Sequence, residues 1–341
     1  MMEQAIDTIR DASVTSPLLE LRELRVRFDT PHGGVQAVAG VSWSLAQGET
    51  LGIIGESGSG KSVGLEAVMG LIKTPPGHVS GDILFEGQDI LKMSNRKRRA
   101  LRGEQIAMVF QDAMSALNPS LTVGAQISEV YRLRRQCSRD EARRKAVELM
   151  ERVKIPSAAS RLKSYPHEFS GGMCQRVMIA TALALEPRVL VADEPTTALD
   201  VTVQRQIMTL LSDLQREMGM ALVLITHDLG VVAEAVNHAI VMYAGRIVES
   251  GDVETLFDAP AHPYTRGLIR SMPRIDTRGE ALHSIGGTPP AAGRMPPGCA
   301  FHPRCPHAVA RCRTDLPLLE PVAGAPRHLS ACHLTGVLPD D

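Results

Sequence analysis

The stretch GESGSGKS, at residues 55–62, follows an apolar run and is followed in turn by a helical pattern. Its glycines let the backbone wrap closely around a phosphate and present N–H donors at the start of a helix. Lys61 can reach the β- and γ-phosphates of a nucleotide, and Ser62 can ligate Mg²⁺. The stretch therefore predicts a strand, a phosphate-binding loop and a helix of an α/β domain.

Two adjacent acids, Asp193 and Glu194, end the apolar run RVLVADE. Continuous apolar runs suit buried parallel strands, whose carboxyl ends line the site in α/β folds. We expect Asp193 to hold Mg²⁺ through water and Glu194 to polarise the attacking water. In isolation they would also fit two acids that cap a strand, but the phosphate-binding loop favours the catalytic interpretation.

Gln111 and His227 lie at the ends of two other apolar runs, IAMVFQD and ALVLITHD. A polar side chain at such a place can sense the γ-phosphate, its metal or the water, although either residue alone would more often be a plain strand end. The candidate catalytic residues are therefore Glu194, His227, Gln111 and Lys61, and the candidate Mg²⁺ ligands are Ser62, Gln111 and Asp193.

A second glycine motif, FSGGM, occupies residues 169–173. Ser170 suits the N-cap of a helix, and the two glycines after it leave N–H groups free to meet a γ-phosphate. An ordinary capped helix would explain the motif if it stood alone. With a phosphate-binding loop already present elsewhere in the chain, FSGGM indicates that two such domains meet face to face.

Composition limits the classes of partner. The chain has 341 residues, 44% apolar content and a formal net charge of -1, so it offers no global attraction to nucleic acid. Residues 1–17 lack the apolar segment of a secretion signal, and no later stretch approaches the roughly 20 apolar residues that cross a bilayer. We expect a soluble, cytoplasmic chain that works at a membrane only through partner subunits.

The character of the sequence changes along the chain. Residues 1–17 are expected to be a disordered tail, and residues 18–258 a nucleotide-binding domain that begins with a small antiparallel sheet. Charged segments with helical spacing predict a mostly helical subdomain at about 112–186. Residues 259–341 form a loop-rich extension, since 13 of the 22 prolines fall in the last 82 residues.

In their order along the chain, the motifs resemble those of the ATP-binding-cassette (ABC) ATPases, and the resemblance spans about residues 18–257. It implies a P-loop NTPase (RecA-like) α/β core, a helical signature subdomain, and two cassettes that close head to tail over ATP. It implies that Phe28 stacks on adenine and that Asp200 belongs to the D-loop. Met173 and Cys174 depart from the usual signature, in which glutamine and a basic residue are expected at these positions, while Ser170 and both glycines match it. The implied nucleotide-binding residues are Phe28, Gly55, Ser57, Gly58, Ser59, Gly60, Lys61, Ser62, Ser170, Gly171, Gly172 and Asp200.

Three longer stretches, FQDAMSALNPSLTVG, FSGGMCQRVMIATALALEPRVLVADEPTTALDVTVQ and AHPYTRGLI, look like the ATPase subunits of bacterial oligopeptide/dipeptide importers. That resemblance implies a homologous second ATPase subunit as heterodimer partner, two transmembrane permease subunits and an extracytoplasmic peptide-binding protein. It also implies a peripheral position on the cytoplasmic face of the inner membrane. Related importers carry nickel, glutathione or sugars, so the solute stays open.

A different class, the soluble ABC ATPases of DNA repair and translation, is the alternative. Those proteins typically carry two cassettes in one chain, or a long insertion between the phosphate-binding loop and the signature. This chain has one cassette and an insertion of ordinary length. The import function is therefore preferred.

Four cysteines lie in the extension with the spacing C-x5-C-x6-C-x19-C. A disulfide is disfavoured in a cytosolic chain, and the C-x2-C pairs of structural zinc modules are absent from the sequence. Spacing alone does not separate zinc from an iron–sulfur cluster, and the family resemblance favours a [4Fe-4S] cluster, with zinc or free thiols as alternatives. The expected ligands are Cys299, Cys305, Cys312 and Cys332, with His302, His307, His328 and His333 as possible substitutes, while Cys137 and Cys174 are expected to be ordinary thiols.

Overall fold

The computed structural model describes residues 16–272 and 284–338. Of the predicted disordered tail, residues 1–15 lie outside the described part. The chain divides into two compact units. The first unit comprises Met1–Ala46, Thr50–Lys92 and Thr226–Asp341, and the second comprises Gln47–Glu49 and Met93–Ile225. The predicted helical subdomain, 112–186, falls inside the second unit, and the predicted extension, 259–341, falls inside the first.

The described residues form strands and helices in alternating blocks. The strands are β1 (Leu19–Thr30), β2 (Gly33–Leu45), β3 (Thr50–Ile54), β4 (Gly77–Phe85), β5 (Gln88–Asp89), β6 (Ile106–Val109), β7 (Val189–Asp193), β8 (Ala221–Thr226), β9 (His238–Tyr243), β10 (Arg246–Asp252), β11 (Glu320–Val322) and β12 (Ala325–Ser330). The helices are α1 (Lys61–Val68), α2 (Asn95–Glu104), α3 (Ala113–Ala116), α4 (Val123–Arg135), α5 (Arg139–Arg152), α6 (Ala158–Arg161), α7 (Gly171–Leu183), α8 (Val201–Met218), α9 (Leu229–Ala235), α10 (Val253–Asp258) and α11 (Pro263–Arg270). Short 3₁₀ turns occupy Ile90–Lys92, Pro166–Glu168 and Ala310–Arg313.

An antiparallel sheet in the first unit has the strand order β2-β1-β4-β5. In β1, Leu19, Leu21, Leu24 and Val26 are buried while their neighbours include exposed charged residues. The buried side chains shift phase after Leu21, where the register with β2 and β4 is broken by a bulge. One side of the strand thus faces the core, and the predicted antiparallel sheet is present.

A second sheet of the first unit holds the phosphate-binding loop. Its strands lie in the order β11, β12, β10, β9 and β3, with β3 parallel to β9. Strand β3, TLGII, is buried at every residue, as expected of a central parallel strand. The loop at residues 55–60 connects its carboxyl end to the start of α1. This is the predicted order of strand, loop and helix.

The proline-rich extension is held by strand pairing and a buried polar contact. Strand β12 pairs with β10, and Glu249 of β10 is fully buried. The carboxylate of Glu249 accepts hydrogen bonds from the N–H groups of Ala261 at 2.6 Å and His262 at 3.0 Å, and it is hydrogen-bonded to His328 of β12 at 2.7 Å. A buried carboxylate with three partners is satisfied, so these contacts tie the extension to the sheet without a metal.

The second unit contains three parallel strands in the order β8, β7 and β6. Their sequences, ALVLIT, VLVAD and IAMV, are buried throughout. Parallel strands end at the same edge of a sheet, so the polar residues that follow β6 and β7 meet there. Helices α4, α5 and α7 pack together beside these strands and supply the predicted helical region. None of the helices in residues 16–272 and 284–338 is both long and apolar enough to span a membrane.

Candidate functional site

Glycine geometry shapes the loop between β3 and α1. Gly60 has φ +99° and serves as the N-cap of α1, and a Cβ atom there would lie 2.4 Å from the carbonyl oxygen of Ala37. Gly58 has φ +77°, and no described atom lies within 4 Å of the position its Cβ would take. Only glycine adopts both conformations at no steric cost. The loop therefore keeps an open curve of backbone at the start of a helix, which suits a phosphate group.

The ammonium of Lys61 lies inside this curve. Its Nζ donates to the carbonyl oxygens of Gly55 at 2.6 Å and Glu56 at 2.9 Å, and the residue is 6% exposed. A buried ammonium needs such partners, because desolvation of an unpaired charge is costly. The loop itself therefore orients a positive charge toward the place where phosphates would bind. Ser62 follows as the second residue of α1.

Gln111 and Glu194 come together at the strand edge of the second unit, as predicted. Glu194 has φ +45°, an uncommon conformation for a residue with a side chain, and its N–H donates to Ile225 at 2.9 Å. The Glu194 carboxylate oxygen Oε2 accepts from the amide of Gln111 at 3.0 Å and from the hydroxyl of Thr197 at 2.9 Å. The neighbouring Asp193 is 8% exposed at the end of β7. Two donors on one oxygen fix the carboxylate in a direction suited to a general base.

The signature motif begins α7. Ser170 is the N-cap residue, with extended backbone, and within the described part of the chain its side chain makes no capping hydrogen bond. Ser170 and Gly171 are exposed, and a Cβ at Gly172 would lie 2.4 Å from Val203. The start of the helix is therefore open on its outer side and tightly packed on its inner side. The N–H groups at this helix N-terminus therefore suit an anion.

Cys174, one of the two departures from the usual signature, is fully buried in α7. Its thiol donates to the carbonyl oxygen of Pro166 at 3.3 Å, and burial raises the pKa of the thiol. A neutral, packed cysteine leaves the exposed face of the signature unchanged. The prediction that Cys174 is an ordinary thiol agrees with this placement.

The remaining candidate residues lie in their predicted elements. Phe28 is half-buried in β1, and exposed His227 follows β8, both in the first unit with Ser57, Ser59 and the rest of the phosphate-binding loop. In the second unit, Asp200 is the N-cap of α8, where its carboxylate accepts from the N–H of Val203 at 3.0 Å. The structure thus joins Gln111 to Glu194 within one unit and Lys61 to its loop within the other.

The four cysteines of the extension lie near one another. The N–H of Cys299 donates to the carbonyl oxygen of Cys312 at 2.9 Å. Burial raises the pKa of Cys305 and of Cys332 to about 11, and the negative charges of the other thiolates contribute. Across residues 16–272 and 284–338, however, no group of three or more histidine, cysteine or acidic side chains is arranged to hold a metal ion. Neither the iron–sulfur cluster nor zinc is therefore confirmed.

The possible histidine ligands have other partners. His328 is hydrogen-bonded to Glu249 at 2.7 Å, His333 to the carbonyl oxygen of Asp315 at 2.9 Å, and the Nδ1 of His302 to the carbonyl oxygen of Cys299 at 2.9 Å. His307 also has an interaction partner. These contacts favour the cysteines over the histidines as any metal's ligands.

Two residues that contact the phosphate-binding loop were missed by the sequence analysis. Tyr264 and Arg304 both bond to Glu56, the second residue of the loop. Tyr264 lies in the stretch AHPYTRGLI, which carries part of the family resemblance, and Arg304 lies between the candidate metal ligands Cys299 and Cys305. Their separation from Glu56 by 208 and 248 positions hides the contact from any local pattern.

Comparison with known proteins identifies the family of this chain. Residues 38–197 match the family described as ABC transporter, and residues 248–312 match the one described as oligopeptide/dipeptide transporter, C-terminal region. The oligopeptide transport ATP-binding protein OppD of Salmonella typhimurium is 51% identical over 315 residues, which cover 92% of this chain and 93% of OppD. The dipeptide transport ATP-binding protein DppD of Escherichia coli is 49% identical over 316 residues, 93% of this chain and 96% of DppD.

Similarity to solved structures supports the same family. The ATP-binding cassette MJ0796, solved as a dimer in a post-hydrolysis state with ADP and Pi, superposes with a TM-score of 0.62 at 28% identity over 69% of this chain and 98% of that one. CbiO1 of Clostridium perfringens gives a TM-score of 0.62 at 30% identity over 72% of this chain and 92% of that one. The predicted P-loop α/β fold is thereby confirmed. The chain belongs to the ABC transporter family, as an ATP-hydrolysing subunit that carries the C-terminal region of oligopeptide/dipeptide transporters.

Proposed function

We propose that the chain is the ATPase subunit that powers an importer of oligopeptides or dipeptides. The observation that carries the proposal is the presence of both matched regions in one chain, since a cassette alone is common to ABC transporters. The relatives OppD and DppD, both named for peptide transport, align over more than 90% of each chain. Nickel or glutathione import is the alternative solute class, because other subunits select the solute.

The nucleotide site requires Mg-ATP, and the residues fit it. The open curve of the loop, with Gly58 and Gly60 at positive φ and the ammonium of Lys61 inside it, suits a polyphosphate. Mg²⁺ would supply charge neutralisation on the phosphates, and Ser62, the second residue of α1, is a proposed ligand in this unit. Phe28 would stack on adenine.

Glu194 is the proposed general base. Its carboxylate, oriented by Gln111 and Thr197, accepts the proton of the water that attacks the γ-phosphate. His227 is proposed to sense the γ-phosphate from the end of β8. Asp200, at the start of α8, is proposed to take part in the interface with a second cassette.

A second ATPase subunit completes the site in this proposal. Ser170, Gly171 and Gly172 begin α7 with an open N-terminus, which supports binding to ATP held by the other subunit. A homologous but different subunit is the proposed partner. Support for permease subunits comes from exposed apolar side chains in the segment 110–121, which contains Gln111, namely Phe110 at 44%, Met114 at 50% and Leu121 at 40% exposure. The complex would place this chain on the cytoplasmic face of the inner membrane, with an extracytoplasmic binding protein delivering the peptide.

Reconstitution tests the proposed substrate. The chain would be purified with the permeases and ATPase encoded beside it, placed in proteoliposomes with ATP inside, and given the binding protein with labelled dipeptides, oligopeptides, nickel or glutathione outside. We expect ATP-dependent accumulation of peptide. Accumulation of nickel or glutathione instead would refute peptide import, and co-purification with ribosomes or nucleic acid rather than permeases would refute transport.

The four extension cysteines are proposed to bind a [4Fe-4S] cluster, with zinc as the alternative. Four thiols lie close together and are partly or wholly buried, which suits either metal, although their side chains are not arranged around a metal position. Burial raises the pKa of Cys299, Cys305 and Cys332, so these thiols are neutral unless a bound metal replaces their protons. No step of ATP hydrolysis depends on the metal at the four cysteines in this proposal.

Replacing the four cysteines with serine is expected to abolish a broad brown absorbance in anaerobically purified protein, because iron–thiolate bonds produce it. Iron, sulfide and zinc would be quantified in the same samples. The matched control is Cys137→Ser, a half-buried thiol outside the extension, which should leave the colour unchanged. Colourless wild-type protein with one zinc per chain would support zinc, and protein without either metal would refute both.

A further inference from the structure

Every polar group of Glu56, in the phosphate-binding loop, is held by a neighbour. Its N–H donates to the hydroxyl of Tyr264 at 2.8 Å. Its carboxylate accepts from both terminal nitrogens of Arg304, at 2.6 and 3.0 Å. Its carbonyl oxygen accepts from the ammonium of Lys61 at 2.9 Å. The residue that follows Gly55 is therefore fixed from three directions, two of which come from beyond residue 258.

Arg304 has no donor to spare. Beyond the two bonds to Glu56, its Nε donates to Gly286 at 2.9 Å, and its terminal nitrogens also reach the hydroxyl of Tyr243 at 3.4 Å and the carbonyl oxygen of Ile285 at 3.3 Å. These contacts use all five N–H groups of a guanidinium. The side chain is 4% exposed, and the carboxylate of Glu56 raises its pKa. Arg304 is thus locked in one orientation and is not a free cation that could bind phosphate itself.

An aromatic cluster fixes the segment that carries Arg304. Phe301 is 3% exposed, and its ring lies 5.3 Å from that of Tyr243 and 5.4 Å from that of Tyr264. The guanidinium of Arg304 lies 5.8 Å from the ring centres of both Phe301 and Tyr243. Buried aromatic pairs with these separations are stabilising beyond their buried area. The stretch between Cys299 and Cys305 therefore has a defined position against the phosphate-binding loop.

The ion pair between Glu56 and Arg304 is expected to affect the affinity of the loop for ATP through its charge. A carboxylate in the phosphate-binding loop repels a polyanionic nucleotide unless its charge is neutralised. Arg304 supplies that neutralisation with a bidentate pair, the strongest geometry available to a carboxylate. The glycine-rich backbone beside it has high conformational freedom, and anchoring it beforehand reduces the entropy lost on binding.

We propose that Arg304 is a positioning residue of the nucleotide site: from the C-terminal extension, it neutralises Glu56 and, together with Tyr264, holds the loop and Lys61 ready for phosphate. The extension thereby sets the affinity of the cassette for ATP. This role concerns nucleotide binding alone and is independent of the transported solute and of any metal at the four cysteines.

A double-mutant cycle on Arg304 and Glu56 tests the proposal. The Kd for a non-hydrolysable ATP analogue with Mg²⁺ would be measured in the full chain for Arg304→Gln, Glu56→Gln and the double variant. We expect Arg304→Gln to raise Kd by about tenfold or more, because it leaves a half-buried carboxylate unpaired beside the phosphates. The double variant should bind more tightly than Arg304→Gln, since the unpaired charge is gone. A Kd for folded Arg304→Gln equal to wild type, or free energies that simply add in the double variant, would overturn the proposal.

Three further variants separate positioning from general stability. Arg304→Lys keeps the positive charge but cannot donate two parallel hydrogen bonds, so it should bind more tightly than Arg304→Gln and more weakly than wild type. Tyr264→Phe removes only the hydroxyl that accepts from Glu56 and should raise Kd even if Arg304→Gln fails to fold. Arg311→Gln, an exposed arginine of the same extension paired with Asp315, should leave Kd unchanged. A loss of thermal stability with unchanged Kd in Tyr264→Phe and Arg304→Lys would contradict the proposed role.

Discussion

Glu194→Gln is expected to retain ATP binding while kcat falls by roughly 10²–10⁴-fold, the usual contribution of a general base. Glutamine keeps the length of the side chain, and its amide oxygen can still accept from Gln111 and Thr197, which both bond to Oε2 in the structure. What is lost is the carboxylate that takes a proton from water. Phosphate release under saturating ATP would measure the turnover, and equilibrium binding of ATP would measure the affinity.

The matched control for this variant is Glu151→Gln, an exposed glutamate of α5 in the same unit. It makes the same chemical change and should leave both turnover and ATP affinity unaltered. A Glu194→Gln protein that hydrolyses ATP at near the wild-type rate would remove Glu194 from the role of general base. A protein that no longer binds ATP would show that the carboxylate supports the site structurally instead.

The positions of the candidate catalytic residues could be predicted because they follow from short-range patterns. Continuous apolar runs have few places in a fold other than a buried parallel sheet, and β6 and β7 occupy that place with every residue buried. Because parallel strands end at one edge, Gln111 and Glu194 had to lie near each other although 83 positions separate them. The backbone bend of the phosphate-binding loop was equally predictable. Its glycines adopt positive φ angles that other residues rarely adopt.

The extension resisted prediction for the opposite reason. Its anchors are single long-range pairs, such as His328 with Glu249 at 79 positions and Arg304 with Glu56 at 248. An isolated arginine or histidine in a proline-rich stretch has no periodicity that could identify its partner. The sequence led us to expect a metal at the four cysteines of this region. The structure adds strand pairing between β10 and β12 and a buried polar contact that operate without one.

Gly60→Ala is expected to weaken ATP binding at least about a hundredfold, since a strained φ and a steric overlap act at the same position. The residue has φ +99°, and its added Cβ would lie 2.4 Å from the carbonyl oxygen of Ala37 and 3.3 Å from the Cα of Gly245. Neither neighbour is a flexible side chain, so the loop itself must move, and Lys61 moves with it. Equilibrium binding of ATP and the thermal unfolding midpoint would be measured together.

Two neighbouring glycines separate the causes of that loss. Gly58→Ala has the positive φ of +77° but no described atom within 4 Å, so it should show backbone strain without overlap and a smaller loss of affinity. Gly64→Ala lies inside α1, also without a described atom within 4 Å, and should raise stability by about 0.5–1 kcal/mol with ATP affinity unchanged. The order of Kd values should therefore be Gly60→Ala above Gly58→Ala above Gly64→Ala. If Gly60→Ala bound ATP as well as Gly64→Ala, the close approach to Ala37 would have no part in shaping the phosphate site.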